Sequence, residues 1–288
     1  MRIYPARKTF ASIRLVNLLE KAVVYAILLA GTLVILTPFW WMVTTSLKTP
    51  AEVFTFPPTF LPHKIIWKNY VDIFQKAPFL LYFRNTTYVV LLDMIGTLLS
   101  ASLVGFAFAR LRWRGRDLLF LITLATMMLP GAVILIPRYL IFKELHWLDS
   151  FRPLWVPSFF GYAFFIFLMR QFYTTIPFDL DDAALIDGCS HFGVWWRILL
   201  PLTRPAMAAC AIFTFNATWN DFLGPIIYLS SQDKLTLALG LLNFRGPHTT
   251  DWHYLMASSV VAMMPVILLY FFAQKYFIQG VVFTGVKG

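Results

Sequence analysis

Long apolar runs are the feature that most constrains what this chain can fold into. They lie at about 22–43, 86–109, 118–140, 153–172, 205–229 and 255–278. One helical crossing of a bilayer core takes about 20 consecutive apolar residues. Inside lipid every backbone polar group must be paired within the protein, which favours helices. The sequence therefore predicts an all-α, polytopic membrane protein with six transmembrane helices.

Composition agrees with this and excludes a water-soluble enzyme. Charged residues make up 13% of the chain and apolar residues 59%, with a mean hydropathy of +0.69. Soluble domains carry about 25% charged residues. The net charge of +10 could suggest nucleic-acid binding. In a membrane protein, however, basic residues collect in cytoplasmic loops. We therefore expect this chain to contact lipid and not nucleic acid.

The basic residues also predict the orientation. Six spans place both termini on one side, and the short link Arg110-Leu-Arg-Trp-Arg-Gly-Arg116 is strongly basic, which marks a cytoplasmic loop. The run at 22–43 is too long for the apolar core of a signal peptide, so we expect a retained first span. The expected order is a cytoplasmic N-terminus (1–21), the first transmembrane helix (22–43), a periplasmic or extracellular loop (44–84) and a core (85–288). The core contains five further spans and a cytoplasmic C-terminal tail.

The segment at about 177–200, between spans four and five, predicts two short helices on the cytoplasmic side. Asp179 is a suitable N-cap with Asp182 three residues later, so the first helix is expected to start at Leu180. Gly188 can end this helix in a left-handed turn, and Ser190 can cap the second helix.

One face of the first predicted helix is small and nearly smooth. Leu180, Ala183, Ala184 and Asp187 fall at positions i, i+3, i+4 and i+7. Small side chains allow close approach of another backbone, which suits a groove in a partner protein. An amphipathic link resting on the membrane is the alternative, but such links are usually basic and carry bulky apolar anchors. The acids and alanines here favour a protein partner.

Three motifs resemble one family. Asp182-Ala-Ala-Leu-Ile-Asp-Gly188, followed by Phe192, Ile198 and Leu200-Pro201-Leu202, resembles the EAA loop of bacterial ABC importer permeases. The similarity is greatest to the carbohydrate-uptake branch that includes the maltose permease. The patch Trp219-Asn220-Asp221 and the ending Phe277-Ile-Gln-Gly280 with Gly285-Val-Lys-Gly288 resemble the same branch. Asp182 stands where the family usually has Glu. The resemblance covers most of the chain from about residue 85.

The resemblance implies a function. The chain would have the type I ABC importer permease fold, with a multi-pass location in a bacterial inner membrane. It would be the permease subunit of a binding-protein-dependent importer for a sugar, such as a di- or oligosaccharide. Its expected partners are a second, different permease subunit, a cytoplasmic ABC ATPase dimer and an extracytoplasmic sugar-binding protein.

The resemblance also assigns contacts with the ATPase. The residues expected in a coupling helix seated in an ATPase cleft are Asp182, Ala183, Ala184, Asp187 and Gly188. In the tail, Gly285, Lys287 and Gly288 are expected to touch the same partner. Independently of the resemblance, the sequence has no GxxxxGK[ST] phosphate loop. We therefore expect no enzymatic activity and no cofactor in this chain, with ATP and Mg bound by the partner ATPase.

No catalytic or metal site is predicted. Cys189 and Cys210 form no CxxC pair, and the histidines lack metal-ligand spacing. A secondary carrier driven by an ion gradient is the main alternative function, but it would usually show paired repeats with ionisable residues at the membrane centre. A membrane-embedded enzyme would need clustered His, Asp or Glu at one interface. The importer hypothesis accounts for more of the sequence than either.

Polar residues within the spans are candidates for the substrate pathway: Asp93, Asn216, Trp219, Asn220 and Asp221. Intramembrane polar groups often mark function, but hydrogen bonding between helices is their more common explanation. An aromatic plane beside amides and a carboxylate suits a sugar ring. Asp93 could contribute to such a site or pair with a loop cation near the outer interface. Both interpretations stay open at this point.

Two further segments carry predictions. Leu129-Pro130-Gly131 and Pro137 should interrupt the third span. The loop at about 231–252 contains Phe244, Arg245, Gly246 and Pro247, which the resemblance implies contact the binding protein. A plain connection between spans is the alternative.

Overall fold

The computed structural model describes residues 10–246 and 250–282, with the side chains of 18–246 and 250–274. Within these residues the chain is helical, and β pairing is limited to an isolated bridge between Arg245 and Thr250. The α-helices are α1 (Phe10–Ser46), α2 (Pro50–Val53), α3 (Lys68–Lys76), α4 (Phe79–Arg110), α5 (Arg116–Ala125), α6 (Gly131–Glu144), α7 (Arg152–Trp155), α8 (Ala163–Thr174), α9 (Asp179–Ile186), α10 (His191–Gly193), α11 (Leu200–Leu202), α12 (Arg204–Trp219), α13 (Leu223–Tyr228), α14 (Leu237–Gly240) and α15 (Trp252–Val282). A π-helical stretch, Val194–Leu199, joins α10 to α11.

Four described helical segments are long and apolar enough to cross a membrane: Leu18–Ser46, Phe79–Arg110, Arg152–Thr174 and Trp252–Gln274. Two bent pairs, Arg116–Met128 with Gly131–Glu144 and His191–Leu202 with Arg204–Trp219, raise the number to six if each pair is one span. The predicted membrane-spanning, all-α architecture is confirmed.

The third span is interrupted where the sequence predicted. α5 and the short 3₁₀ turn Thr126–Met128 meet α6 at 101°. Leu129 has an extended backbone (φ −77°, ψ 118°), because the ring of Pro130 disfavours helical geometry in the residue before it.

The fifth span ends earlier than predicted. Its helix α12 stops at Trp219, ten residues before the expected end at 229, and α13 starts only at Leu223. Asp221 Oδ1 accepts a hydrogen bond from the Gly224 backbone N–H at 3.1 Å. Short polar side chains that bond nearby backbone compete with the helical ladder, which explains the break.

Helix α4 is the centre of the bundle and packs against α8 and α12. Gly105 permits the close approach to α8, since a Cβ there would lie 2.8 Å from Met169 Cβ. At about 1.5 Å per residue its 32 residues separate the two ends by about 48 Å. Buried clusters lie around each end, which we call the Phe79 end and the Arg110 end.

The segment at 44–84, predicted as a loop, folds onto the Phe79 end. Asn69 donates its side-chain amide to the carbonyls of Ser46 and Lys48 at 2.8 and 3.0 Å. Helix α3 packs against α15 and contributes the buried Ile73 to the cluster at this end.

Candidate functional sites

Helix α9 begins one residue earlier than predicted. Asp179 is its first residue and Phe178 occupies the N-cap position without a side-chain cap. The three acids Asp179, Asp181 and Asp182 lie in the first turn, where the helix dipole favours negative charge. The expected capping role of Asp179 is therefore wrong, and its carboxylate acts at the helix terminus through charge instead.

The end of α9 follows the prediction. Gly188 has φ +80°, and the Cys189 N–H donates to the Ala184 carbonyl at 2.9 Å. This is the left-handed turn that glycine permits after a helix. Ser190 then caps α10, since its Oγ accepts from the Gly193 N–H at 3.2 Å.

The two faces of α9 are divided differently from the prediction. Ala184 is buried in the cluster at the Arg110 end, beside Tyr173 and Trp195, so it does not belong to an exposed docking face. The exposed side carries Asp182, Ala183, Ile186 and Asp187, with Ile186 86% exposed. The reason is tertiary: α9 packs against the π-helical stretch Val194–Leu199, and Ala184 lies in the buried cluster that this contact forms.

A buried ion pair holds α9 to the end of α4. Arg110 Nε lies 3.5 Å from Asp181 Oδ2, and the Arg110 side chain is only 2% exposed. Arg110 also donates to the Ile176 carbonyl at 2.8 Å and stacks over the Phe178 ring at 4.3 Å. Burial raises the pKa of Asp181, and the charge of Arg110 opposes that rise. Arg110, interpreted from sequence as an orientation signal, is thus an anchor for the helix.

A second site is an open cavity of about 510 Å³ lined by residues of α4, α6, α7, α8, α12 and α13 and of the turns between them. Its polar lining is Asp93, Arg138, Tyr162, Thr214, Thr218, Asp221 and Tyr228. Aromatic and aliphatic side chains, among them Phe164 and Leu154, complete the wall. A mostly apolar cleft with a few convergent polar groups is the usual form of a small-molecule site.

The carboxylate of Asp93 is buried in this cavity and is not paired with a loop cation. Its Oδ2 accepts a hydrogen bond from Thr218 Oγ1 at 2.5 Å. Thr214 Oγ1 and the Tyr228 hydroxyl, from two residues that line the cavity, are buried and form no hydrogen bond with the described residues. Buried polar atoms are normally hydrogen-bonded, so two unpaired atoms on one cavity wall are unusual.

The other pathway candidates separate into three groups. Asp221 lines the cavity. Asn216 on α12 and Asn220 directly after it are exposed, and Asn220 Nδ2 donates to Asn216 Oδ1 at 3.1 Å. Trp219 is buried in the cluster at the Phe79 end, where it stacks on Phe215 at 5.2 Å. Its Nε1–H donates to the Ala262 carbonyl, so this indole is committed to packing and offers no face to a sugar.

The loop candidates are also divided. Phe244 is buried against the Phe79 end, so its side chain is an anchor and not a displayed contact. Arg245 and Gly246 are exposed beside it. Pro247 in the loop and Gly285, Lys287 and Gly288 in the tail lie outside the described residues.

Comparison with known proteins decides the family. The profile of the family described as "Binding-protein-dependent transport system inner membrane component" matches residues 101–282, more than half of the chain. The chain belongs to this family. The matched range of this permease contains α9, α12 and most of the cavity, whereas Asp93 precedes it.

Sugar-transport permeases are among the relatives of this permease. AraQ of Bacillus subtilis, an arabinooligosaccharides transport system permease protein, is 35% identical over 228 residues, 79% of this permease and 81% of AraQ. NgcG of Streptomyces coelicolor, a diacetylchitobiose uptake system permease protein, is 30% identical over 258 residues, 88% of this permease and 85% of NgcG. This membership favours the importer interpretation over an ion-gradient-driven carrier.

A solved structure confirms the permease fold. It is the crystal structure of a bacterial ABC transporter involved in the import of the acidic polysaccharide alginate. One chain of that transporter matches with a TM-score of 0.80 and 23% identity, covering 95% of this permease and 100% of that chain.

Sequence reasoning missed several cavity residues of this permease. Arg138 and Tyr162 line the same cavity as Asp93. A guanidinium within an apolar run is a recognised sign of function, so Arg138 could have been found from its position directly after Pro137. Tyr162 carried no such signal, because tyrosines are common in membrane spans.

Proposed function

We propose that this permease translocates a neutral oligosaccharide and that α9 receives the motion of a partner ATPase. The observation that carries the coupling role is the division of α9. One side is anchored through Arg110–Asp181 and Ala184, while Asp182, Ala183 and Ile186 are left exposed. Because α9 is held to α4 in this way, a displacement of α9 by the ATPase is passed on to α4.

The cavity supports a hydroxyl-rich, neutral substrate. Two carboxylates, Asp93 and Asp221, face one guanidinium, Arg138, so the described charges do not favour an anionic sugar. Carboxylate acceptors, the guanidinium donor and the tyrosine and threonine hydroxyls together match a ring that both donates and accepts hydrogen bonds. The names of the relatives make arabino-oligosaccharides the first class to test.

The partners follow from this role. The proposed assembly contains a second permease subunit, an ABC ATPase dimer that binds ATP and Mg, and an extracytoplasmic sugar-binding protein. In it the Arg110 end of the bundle faces the cytoplasm of a bacterial cell and the Phe79 end faces outward. The basic link at 110–116 supports this orientation.

Reconstitution of the complex in proteoliposomes tests the proposal. With its ATPase, second permease and binding protein, we expect ATP-dependent uptake of at least one of arabinotriose, diacetylchitobiose and maltotriose. Ala183→Trp should lower both sugar-stimulated ATP hydrolysis and uptake, because the large indole on the exposed face of α9 would prevent the ATPase from contacting that face closely. Ala26→Trp, at an exposed alanine of α1, is the matched control and should leave both unchanged.

Two results would contradict the proposal. One is uptake that needs an ion gradient but no ATP. The other is sugar-stimulated ATP hydrolysis and uptake at wild-type rates in the Ala183→Trp complex, which would remove the coupling role from α9.

A further inference from the structure

A second, smaller cavity lies at the Phe79 end. Its volume is about 250 Å³, and it is enclosed by the end of α1, the segment from Glu52 to Thr59 and the first turns of α15. None of its lining residues lines the 510 Å³ cavity. Ligand pockets typically measure roughly 300–1,000 Å³, so this one suits a single ring and not a chain.

Two buried charged side chains line this pocket. Lys48 is 2% exposed, donates from Nζ to the Thr59 carbonyl at 2.5 Å and lies 4.7 Å from the Trp41 ring centroid. Glu52 is 9% exposed, and its Oε1 accepts from the His63 N–H at 2.8 Å. Among the described residues Glu52 Oε2 accepts no hydrogen bond, and two of the three Lys48 ammonium protons are not used in hydrogen bonds.

A third polar group in the pocket is unpaired. Thr45 is 4% exposed and its Oγ1 has no partner among the described residues. Leaving a buried hydroxyl unpaired is unfavourable, and native structures usually satisfy such groups with protein, water or ligand. Thr45 is itself on the pocket wall, beside Lys48 and Glu52.

We propose that this pocket is a sugar subsite that holds one ring of the oligosaccharide on the outer face of the permease. The inference rests on the proposed function, which supplies the sugar and the outward direction of the Phe79 end. The positive charge of Lys48 offsets the negative charge of Glu52. A lone anion in the pocket would therefore be repelled by Glu52, and a lone cation by Lys48. A neutral ring can accept from Lys48, donate to Glu52 and bond Thr45 at the same time.

The walls and the position of the pocket agree with this occupant. Trp41 and Trp252 line it, and an aromatic plane is a suitable surface for the apolar face of a sugar ring. Trp252 directly follows the loop that carries the exposed Arg245 and Gly246. The Asp251 N–H donates to the Phe244 carbonyl at 3.0 Å, which fixes the end of that loop beside the pocket. A sugar released at this loop would meet the subsite first.

Uptake kinetics give the first test. Thr45→Val keeps the shape and removes only the unpaired hydroxyl. If the hydroxyl bonds sugar, the KM for arabinotriose should rise about 2- to 10-fold with kcat nearly unchanged. Thr97→Val is the matched control, because Thr97 is also buried with an unpaired Oγ1 but lines neither cavity. Its KM should stay at the wild-type value.

A binding measurement gives the second test and needs no transport. Met256 lines the pocket and is half-buried, so Met256→Cys can be modified with a small thiol reagent in a complex whose Cys189 and Cys210 are replaced by alanine. We expect arabinotriose, diacetylchitobiose or maltotriose to slow this modification. The exposed Gln232→Cys should react at the same rate with and without sugar.

The two proposals fail in different ways. If none of the three sugars slows the modification of Met256→Cys, the subsite is wrong even when uptake is normal. If no ATP-dependent uptake of these sugars occurs, the proposed function is wrong whatever the labelling shows. A KM shift shared equally by Thr45→Val and Thr97→Val would also remove the subsite.

Discussion

The turn that ends α9 requires glycine at position 188 because of the backbone conformation there and not because a larger side chain would clash. Its φ is +80°, and a Cβ there would meet no atom within 4 Å. The left-handed region costs other residues about 1–2 kcal/mol, whereas asparagine tolerates it better. A residue with a side chain is therefore unfavourable at this position only because of the left-handed backbone conformation.

Substitutions at Gly188 should follow backbone preference. Gly188→Val should lower ATP-driven uptake severalfold, because the turn into α10 is displaced, while Gly188→Asn should stay close to wild type. Gly115→Val is the control, since Gly115 has φ +87° and an equally open surrounding but precedes α5 and does not end α9. Uptake and ATP hydrolysis in proteoliposomes measure the effect. Equal losses in Gly188→Asn and Gly188→Val would show that the requirement is not conformational.

Single residues also show where sequence reasoning stops. Gly188 and Ser190 were predicted correctly because turns and caps depend on a few neighbouring residues. The burial of Trp219 and Ala184 was not, because the side of a helix that meets the core depends on distant segments. Trp219 is packed against Phe215 and bonded to Ala262, the latter 43 residues away.

At the scale of elements, the Arg110–Asp181 pair joins α4 to α9. Removing one partner of a buried pair is typically destabilising by about 3–5 kcal/mol, whereas replacing both by apolar residues is often neutral. Asp181→Asn and Arg110→Met should each lower the thermal unfolding temperature of the complex and uncouple ATP hydrolysis from uptake. Arg110→Met with Asp181→Leu should recover stability. The exposed Arg114→Met on the same link is the control.

The rescue separates two explanations. If the apolar pair restores both stability and coupling, α9 needs attachment and not charge. If Arg110→Met alone gives the same unfolding temperature and the same coupling of ATP hydrolysis to uptake as Arg114→Met, Arg110 does not anchor α9.

A second connection between elements involves Asp149, in the turn between α6 and α7. Its Oδ1 accepts the backbone N–H groups of Ser230 and Ser231 at 3.0 and 2.9 Å, and Lys234 Nζ lies 2.9 Å from Oδ2. The hydrogen bond from the Ser231 hydroxyl is the largest cause that lowers the pKa of Asp149, followed by the bond from Lys234. The carboxylate thus joins this turn to the segment after α13.

This connection predicts a pH dependence. Because the folded pKa lies below the unfolded value of about 3.9, the stabilisation is present above that pH and is lost as the pH falls below it. Asp149→Asn tolerates the left-handed backbone (φ +53°) but lacks the charge. It should lower the unfolding temperature at pH 7, and the gap to wild type should narrow below about pH 4. A gap that stays constant with pH would contradict the role of the carboxylate.

For the whole molecule, six apolar runs were sufficient to predict the membrane-spanning fold. Run length and proline positions act locally, so the crossings and the break at Pro130 could be derived from the sequence. The cavity could not, because Asp93, Arg138 and Tyr162 come from three separate segments. Only their common wall shows that they form one site.

The charges of that cavity predict selectivity. Asp93→Asn with Asp221→Asn keeps acceptor oxygens for Thr218 and Gly224 but removes both negative charges around Arg138. Trigalacturonate should then compete with arabinotriose uptake about tenfold more strongly than in wild type, roughly 1.4 kcal/mol. The exposed Asp233→Asn removes one charge outside the cavity and serves as the control. Unchanged competition by trigalacturonate would show that these carboxylates do not select against anions.

The division of α9 has a consequence for how such permeases diverge. Asp181 and Ala184 are constrained by contacts within the chain, whereas Asp182, Ala183 and Ile186 are exposed and free of such constraints. Under the proposed function, adaptation to a different ATPase requires changes only at the second group. Grafting those outward residues from a relative should thus transfer ATPase compatibility while the recipient keeps its own substrate.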